Sequence, residues 1–395
     1  MGRRFKLTGY ADGPPLKYPP LSAQAITHFT HTAKDQPAPP EHFGPNDNVM
    51  LQEASLYYGG RIVDNAGAFA QLTYDATTRR LALDNTDIRI AREGTIAGSP
   101  LIGGLFAANN PTLEDPYNTL PAWGFPFNIS QVAPQPAAST LIEGNLAQTH
   151  AGGGGYALWN NTVYAEMAAY TTLSAQTRKT LGAEGSGIDT VDGAIPYWRL
   201  ALQREIGSHF VEAGTFGLHA PTFPGGNSSQ GHDTRTDTGL DLEYQYLGDQ
   251  HYFSFQAAYI HEHQDWSASQ VLGLTANNRD SLDTLRLKGT YIYDHTWQFN
   301  VGFLDRHGSA DPILYANPHT ARPDTRAWIF EVDWLPFNDV AGGTSGLGFW
   351  PWLNPRIGLQ YTAYSKFDGS THDFDGTGRN ASDNNTLYLF LWVAL

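Results

Sequence analysis

Three consecutive residues, His261, Glu262 and His263, bring two imidazoles and a carboxylate together in a chain that contains no cysteine. Imidazole and carboxylate are ligand types that suit iron, copper or zinc. If the segment is an extended strand, side-chain alternation sends both imidazoles to one face, about 7 Å apart. The three residues are therefore a candidate metal site. The alternative, which is favoured, is that histidines are simply common in polar loops and bind no metal here.

A second polar segment, the loop from Asp368 to Asn385, contains oxygen donors of the type that Ca²⁺ prefers. These donors are Asp373, Asp375, Asp383 and Asn384. The segment lacks the full spacing of a known calcium loop, so ordinary turn chemistry is the favoured explanation.

Signatures of catalysis are otherwise missing from the sequence. The Gly152–Gly155 run is not followed by Lys-Ser or Lys-Thr, and neither G-x-S-x-G nor H-E-x-x-H occurs. The lack of cysteine removes disulfides, thiolate metal sites, cysteine nucleophiles and a c-type haem attachment. With 24 Lys plus Arg against 39 Asp plus Glu, the net charge of −15 argues against a nucleic-acid partner.

The elements that must position these residues are strands. From Leu285 to Leu304, apolar or aromatic residues alternate with polar ones on both sides of Asp294-His295, which predicts an antiparallel hairpin. No run of about 18 apolar residues occurs, so no transmembrane helix is predicted. About sixteen such strands are predicted, at 21–34, 50–63, 66–75, 81–93, 100–108, 146–160, 162–175, 195–207, 208–220, 233–248, 251–266, 281–295, 296–308, 326–337, 355–369 and 384–395.

The links between these strands alternate between short and long. Short links at 64–65, 160–161, 207–208, 248–250 and 294–295 alternate with long ones at 35–49, 109–145, 176–194, 221–232, 267–280, 309–325 and 369–383. Outer-membrane barrels have short periplasmic turns and long outside loops in the same alternation. Two links depart from the rule, a short outside link at 76–80 and a long periplasmic one at 338–354. The sequence thus predicts an all-β fold, a single antiparallel transmembrane β-barrel with long extracellular loops.

Charged residues of both signs occupy the positions that alternate with the apolar ones. Such residues suit a wet lumen, since a midplane Lys or Arg facing lipid costs about 2–4 kcal/mol. The residues predicted to line the lumen are Glu166, Arg199, Asp241, Glu243, Arg286, Lys288, Glu331, Asp333, Arg356 and Lys366. Aromatics near strand ends, Trp198, Trp297, Trp334, Tyr364 and Trp392, are expected to form the girdles at the membrane surfaces. A soluble β-sandwich or other β-rich binding protein is the open alternative, with the charged face in solvent.

Two segments are candidates to narrow or plug the lumen. Residues 1–20 are basic and then Pro-rich, and are treated as a lead-in or plug segment distinct from the barrel of 21–395. Arg3, Arg4, Lys6 and Lys17 are expected to pair with lumenal Glu166, Asp241, Glu243 and Glu331. A disordered leader is the alternative. The stiff run around Trp123, Phe125 and Phe127 is expected to fold into the barrel mouth.

Several stretches together resemble the porin part of fused monohaem cytochrome–porin outer-membrane proteins, a family that includes outer-membrane iron-oxidising cytochromes. They are GRRFKLTGY (Gly2–Tyr10), NNPTLEDPYNTLPAWGFPF (Asn109–Phe127), YALWNNTVYAE (Tyr156–Glu166), GTFGL (Gly214–Leu218), LQYTAYSKFDG (Leu359–Gly369) and DGTGRNASDNNTLYL (Asp375–Leu389).

The resemblance implies a barrel in the bacterial outer membrane that helps carry electrons across it, with haem c on a cytochrome segment. In the family, the Cys-x-x-Cys-His motif lies shortly before the segment that matches Gly2–Tyr10, and here Met1 stands in its place. No haem ligand, cofactor or catalytic residue is therefore expected in this chain. It is not expected to be an enzyme by itself, although relatives with the haem segment act as extracellular Fe(II) oxidases. Expected partners are outer-membrane lipid, a periplasmic electron carrier and a metal ion; the alternative function is a general or solute-selective porin without a redox role.

Overall fold

This computed structural model describes residues 3–9, 20–183, 187–315, 319–337 and 353–395. The strands are β1 (Leu21–Thr32), β2 (Asn48–Val63), β3 (Ala66–Asp75), β4 (Arg80–Ile96), β5 (Ser99–Ala108), β6 (His150–Trp159), β7 (Val163–Thr172), β8 (Thr190–Val191), β9 (Ile195–Ile206), β10 (His209–Phe223), β11 (Asp233–Leu247), β12 (His251–Asp265), β13 (Arg279–Tyr293), β14 (Trp297–Gly308), β15 (Thr325–Trp334), β16 (Asn354–Lys366) and β17 (Thr386–Ala394).

Within the described residues, all of these strands except β8 form one closed antiparallel barrel of sixteen. Each strand pairs with the next along the chain, β7 pairs with β9, and β17 returns to pair with β1. The short β8 only extends the outer end of β10. The predicted fold class and the sixteen predicted strands are confirmed. The predicted strand at 146–160 starts later, at His150, because Leu141–Asn145 forms a helical turn before it.

The alternation of short and long links is also present. Two tight turns, Asn160-Asn161 and Asp294-His295, have positive φ at both residues, the geometry that matches the twist of a hairpin. The barrel end that carries the short turns is called the inner end below, and the end with long loops the outer end. Most of the long link predicted at 338–354 lies outside the described residues.

The outward face of the barrel carries a belt of exposed apolar side chains. Phe330 is 46% exposed, and Leu359 is 47% exposed. Near the inner end Trp297 and Trp334 stack with ring centroids 6.2 Å apart. Such a belt with aromatic rings at its edge matches a hydrocarbon layer. Tyr364 and Trp392, in contrast, face the lumen, so their assignment to a girdle was wrong; Trp392 donates to Gln24 there and Tyr364 is buried.

Helical segments are short. They are α1 (Arg3–Thr8), α2 (Ala175–Leu181), α3 (Ser267–Val271), the 3₁₀ turns Pro111–Leu113, Pro224–Gly226, Ser228–Gln230 and Ala381–Asn384, and the π turn Leu141–Asn145. In the part of the chain that is described, no helix has the length and hydropathy to cross a membrane.

Candidate functional site in the barrel lumen

The link between β5 and β6, residues 109–149, starts and ends at the outer end of the barrel and folds into the lumen, where it ties opposite walls together. It is called the inner loop below. On one side Gln52 donates to the side chain of Asn128 at 2.6 Å. On another, Gln360 donates to the Asn128 carbonyl at 2.9 Å. Across the barrel, Lys288 donates to the Thr119 carbonyl at 3.0 Å. The loop is therefore fixed from several directions by polar wall residues.

The aromatic residues predicted to narrow the barrel lie on this loop inside the lumen. Trp123 packs edge-on against Phe69 of β3 at 5.3 Å between centroids. Phe125 is buried and packs edge-on against Phe127 at 5.6 Å. The Arg356 guanidinium lies 5.0 Å from the centre of the Phe127 ring. These rings fill the middle of the barrel between β3 and β16.

A buried ion cluster joins the inner loop to β9, β10 and β11. The Arg199 guanidinium contacts Asp115 of the loop at 3.3 Å, lies 3.6 Å from Glu212, and pairs with Asp241. Thr119 donates to Asp115 at 2.9 Å, as do backbone N–H groups of the loop. Burial raises the pKa of Asp115, but the stronger combined attraction of Arg199, Lys6 and these donors leaves it below its usual value.

A second ion pair fastens the start of the inner loop to β4. Arg89 donates two hydrogen bonds to Asp87, at 2.8 and 2.9 Å, and one to Glu114 at 2.5 Å. All three side chains are about 2% exposed. A planar guanidinium suits such two-sided binding of carboxylates. The start of the loop is thereby held against β4.

The helix α1 lies inside the barrel beneath the inner loop. Lys6 is 1% exposed and donates to the Asp115 carbonyl. Arg3 pairs with Glu205 and lies 3.6 Å from the centre of the Phe210 ring, and Arg4 pairs with Glu93. Burial lowers the pKa of Lys6 to about 8, against the opposing attraction of Asp115 and Glu114.

The wall partners of α1 differ from those expected from the sequence. Glu205 and Glu93 were not among the expected residues, because both lie close to the inner end, where the helix enters. Lys17 lies outside the described residues. Of the residues expected to pair, Glu166 accepts from Tyr164 at 2.7 Å and Glu243 accepts from Gln245 at 2.6 Å.

A carboxylate of the loop itself, Glu143, helps to hold the outer part of the inner loop. It accepts from Arg286 at 3.0 Å, from Arg306 at 3.2 Å and from Thr284 at 3.0 Å, and its side chain is 1% exposed. Burial raises its pKa, but Arg306 and Arg286 outweigh burial and lower the pKa to about 2. The charged form of Glu143 is thus strongly preferred in the folded protein.

The remaining predicted lumenal residues lie on the opposite wall and at the outer rim. Arg356 pairs with Glu331 at 2.9 Å and with Asp333 at 2.5 Å, and Asn300 bridges the same two carboxylates at 3.0 Å. Lys366 contacts Asp324 at 3.1 Å near the outer end, with its side chain 39% exposed. The predicted lumenal residues therefore divide between two walls and do not meet at one point.

The candidate metal residues on β12 point to opposite faces. His261 is half-buried on the outward face, where its Nδ1 lies 2.8 Å from Asp283. Glu262 is fully buried on the lumenal face and accepts from the Leu141 backbone N–H at 2.6 Å. His263 is exposed. Among the residues that are described, no group of three or more His, Cys, Asp or Glu is placed to hold a metal ion.

The acidic residues of the outer loop after β16 bond to backbone N–H groups. Asp375 accepts from Thr377 at 2.9 Å, Asp373 from Gly378 at 2.5 Å, and Asp383 from Asn380 at 3.0 Å. These bonds are typical of turns.

Several cavities lie around the inner loop and α1 in the described part of the chain. A cavity of about 970 Å³ is lined by Phe5, Tyr57, Trp123, Phe127 and Trp392. A second, of about 560 Å³, lies at the inner end and is lined by Arg3, Gln203 and Glu205 among others. A third, of about 480 Å³, lies toward the outer end and includes Glu262 and Gln264.

Sequence reasoning missed the loop carboxylates Glu114, Asp115 and Glu143. Glu114 and Asp115 lie in the stretch 109–127, which was interpreted from its prolines and aromatics, and Glu143 lies in the rest of the predicted long loop. The signal that could have found them is the presence of acidic residues in a loop already expected to enter a lumen that carries Arg199, Arg286 and Lys288.

No protein-family model matches this chain, and no curated protein sequence matches it. Solved structures do resemble it, and they are β-barrels of bacterial outer membranes. The anion-selective porin of Comamonas acidovorans is 8% identical, with a TM-score of 0.51 over 95% of this chain and 98% of that chain. Salmonella typhi OmpF is 8% identical, with a TM-score of 0.45 over 95% and 97%. The channel DcaP of Acinetobacter baumannii is 9% identical, with a TM-score of 0.45 over 95% and 96%.

The fold is therefore that of the outer-membrane porins. Together with the apolar belt, it places the chain in the bacterial outer membrane. Identities this low concern the fold alone.

Proposed function

We propose that this chain forms the barrel of a cytochrome–porin electron conduit in the outer membrane. The observation that carries the proposal is the position of α1, which lies in the lumen under the inner loop, with Lys6 bonded to the Asp115 carbonyl. A lumen closed in this way suits the passage of electrons better than the free passage of solutes. The resemblance of Gly2–Tyr10 and Asn109–Phe127 to the cytochrome–porin family supports the same proposal.

The chain's own residues do not fit a covalently attached haem. The sequence has no cysteine, and the described lining of the 970 Å³ cavity includes no histidine or methionine that could serve as an axial ligand. Haem c would therefore have to be carried by another segment or by a periplasmic electron carrier. The role assigned to this chain is to house such a carrier and to span the lipid.

The 970 Å³ cavity is the place where the haem group of such a partner would dock. It lies beside α1, and its aromatic lining of Phe5, Tyr57, Phe69, Trp123 and Trp392 offers apolar contact area. The cavity is of the size that small-ligand and cofactor sites have, about 300–1,000 Å³. Extracellular Fe(II) as electron donor is part of the same proposal, and it rests only on the family resemblance.

A solute-selective porin without a redox role is the second candidate. It is favoured by the cavities above and below the inner loop, which leave open space on both sides of the constriction. Charged walls on both sides of the lumen would then select the solute. The neighbour from Comamonas acidovorans is an anion-selective porin.

Planar-bilayer conductance separates the two candidates. The full chain and a chain without residues 2–20 are refolded in detergent and compared in the same bilayer. The conduit proposal expects the full chain to stay closed and the shortened chain to conduct. Equal, steady conductance of both would contradict it and leave the porin candidate.

A second measurement addresses the partner. A soluble monohaem c-type cytochrome is mixed with the barrel in lipid nanodiscs, and retained haem absorbance is measured after size exclusion. Retention that is lost in Trp123→Ala, and kept in Trp198→Ala on the outward face, supports docking in the cavity. Equal retention by both variants would mean that the cytochrome binds elsewhere.

A further inference from the structure

The lumenal face of β11 carries a row of ionisable side chains along most of its length. From the outer end inward they are Asp233, Arg235, Asp237, Asp241 and Glu243, and Gly239 breaks the row. Every second residue of a strand faces the same side, so neighbours in this row are about 7 Å apart. The row runs through the depth of the barrel beside the inner loop.

The upper part of the row is a pair of carboxyl groups that form no ion pair within the described residues. Asp237 on β11 is directly opposite Glu262 on β12, and both side chains are 0% exposed. They accept from the backbone N–H groups of Ile142 and Leu141, at 2.7 and 2.6 Å. Among the described residues no ion pair reaches either of them, since the nearby Arg235 pairs with Asp189. One oxygen of Asp237 has no hydrogen-bond partner there.

In the lower part of the row, several carboxylates crowd around one guanidinium. Arg199 faces Asp115, Glu212 and Asp241, and Lys6 donates to the carbonyl oxygen of Asp115. Glu212 is 2% exposed, and within the described structure neither of its carboxylate oxygens has a hydrogen-bond partner. One oxygen of Asp241 is likewise without a partner there.

Glycine brings the two lower carboxyl groups close together. A Cβ on Gly214 would lie 2.5 Å from an Asp241 oxygen and 2.6 Å from a Glu212 oxygen, so those oxygens share the space above this residue. Two buried carboxylates that share a site and only one guanidinium cannot both carry charge cheaply. A proton held between two such carboxyls lowers this cost.

An apolar layer separates the upper pair from the lower carboxyls. At the level of Gly239, Phe216 is the direct partner on β10 and Ile260 is the direct partner on β12. Both side chains are 0% exposed. A Cβ on Gly239 would collide with the Phe216 ring, which therefore covers the gap in the row. The layer lies midway along the roughly 13 Å of strand between Asp237 and Asp241.

Both ends of the row meet a cavity. Glu262 itself lines the 480 Å³ cavity toward the outer end. At the other end, Gln203 lines the 560 Å³ cavity and is the direct strand partner of Glu212. A cavity therefore comes close to the carboxyls from each side, and the apolar layer of Phe216 and Ile260 lies between them.

We infer that the carboxyl groups along β11 form a proton path through the barrel, interrupted by Phe216. A proton would move from a carboxyl O–H to a water or to a neighbouring carboxylate, so only O–H bonds form and break, and nothing is oxidised. The path goes beyond the conduit proposal and does not depend on it. Protons suit the row better than metal ions, because no described group of three ligands converges in it.

The test is proton flux into liposomes that contain the full barrel and a trapped pH-sensitive dye, after an external acid step with potassium and valinomycin present. Phe216→Ser should raise the proton flux about tenfold, because it lowers the barrier that the apolar layer presents to proton movement. Adding Asp237→Asn and Glu262→Gln to Phe216→Ser should return the flux to that of the unchanged chain. Ile260→Ser opens the same layer from β12 and serves if Phe216→Ser does not fold.

The matched control is Phe390→Ser. Phe390 covers Gly358 on the opposite wall in the same way that Phe216 covers Gly239. Gly358 and Phe390 are direct partners across β16 and β17. Flux through Phe390→Ser equal to that through Phe216→Ser would overturn the path along β11. The proton assignment would also fail if Phe216→Ser, without valinomycin, passed sodium or potassium as readily as protons.

Discussion

The backbone of Gly9, just after α1, lies directly against the backbone of Gly67 in β3. A Cβ added to Gly67 would lie within 2.7 Å of the Gly9 Cα and would overlap the Gly9 carbonyl group. Only a residue without a side chain allows this approach. The two glycines therefore allow the end of the N-terminal helix to pack directly against the barrel wall.

Gly67→Val should displace α1 and open the lumen. We expect a higher steady conductance than that of the unchanged chain, approaching that of the chain without residues 2–20. Gly289→Val is the matched control, because a Cβ at Gly289 meets no atom within 4 Å. If both variants conduct alike, the helix does not depend on this contact.

Glu143→Gln should loosen the outer part of the inner loop. The substitution leaves Arg286 and Arg306 without their carboxylate, and breaking a buried ion pair costs about 3–5 kcal/mol. The measurement is the rate of protease cleavage within residues 109–149. Glu41→Gln, whose side chain is 89% exposed, is the control and should leave the rate unchanged.

The ion pairs of Glu143 with Arg286 and Arg306 should weaken in acid. The pKa of Glu143 is lowered from its ordinary value of 4.5 to about 2 in the folded chain, because Arg306 and Arg286 outweigh the effect of burial. A lowered carboxyl pKa gives stability that is complete above about pH 4.5 and is lost as pH falls toward 2. Loop cleavage should rise across that window in the unchanged chain, and more weakly in Glu143→Gln. An identical pH profile in both would contradict the role of Glu143.

Docking of α1 should strengthen in alkali. Burial lowers the pKa of Lys6 from 10.5 to about 8, so between these values the undocked helix binds a proton that the docked helix has released. Stability rises with pH wherever the open state binds more protons. The closed fraction in bilayer recordings should therefore grow from pH 8 to 10.5, and Lys6→Met should remove this dependence.

Phe330→Arg tests which face of the barrel meets lipid. Phe330 is outward-facing and 46% exposed at the middle of β15, where an arginine should cost about 2–4 kcal/mol of unfolding free energy in lipid. Ile206→Arg, at the inner end of β9, should cost only about 0–1 kcal/mol. Urea unfolding in bilayers measures both, and equal costs would contradict the assigned depth.

The strands were predictable because side-chain alternation is local. The pattern of Trp297, Phe299 and Val301 against Gln298 and Asn300 predicts both the strand and its two faces, and both are as predicted. Local alternation failed where an aromatic residue points inward, as Trp392 does, since the pattern does not distinguish lipid from a lumen filled with protein.

The lumenal contacts were not predictable in the same way. The bond from Lys6 to Asp115 joins residues 109 positions apart, and that from Gln360 to Asn128 joins residues 232 apart. Such pairings depend on how deep the loop and the helix descend, which no periodicity records. Predicting the carboxyl pair of Asp237 and Glu262 requires only the register between β11 and β12, which the turn at 248–250 sets.

The seam between β1 and β17 has a consequence for biogenesis. β1 pairs with β17, so the barrel cannot close until β17 has been synthesised. Contacts between chain ends are the slowest kind to form. The inner loop is bound to walls on both sides of that seam, through Gln52 of β2 and Gln360 of β16. It can therefore act as an internal template that brings the two edges together before they join.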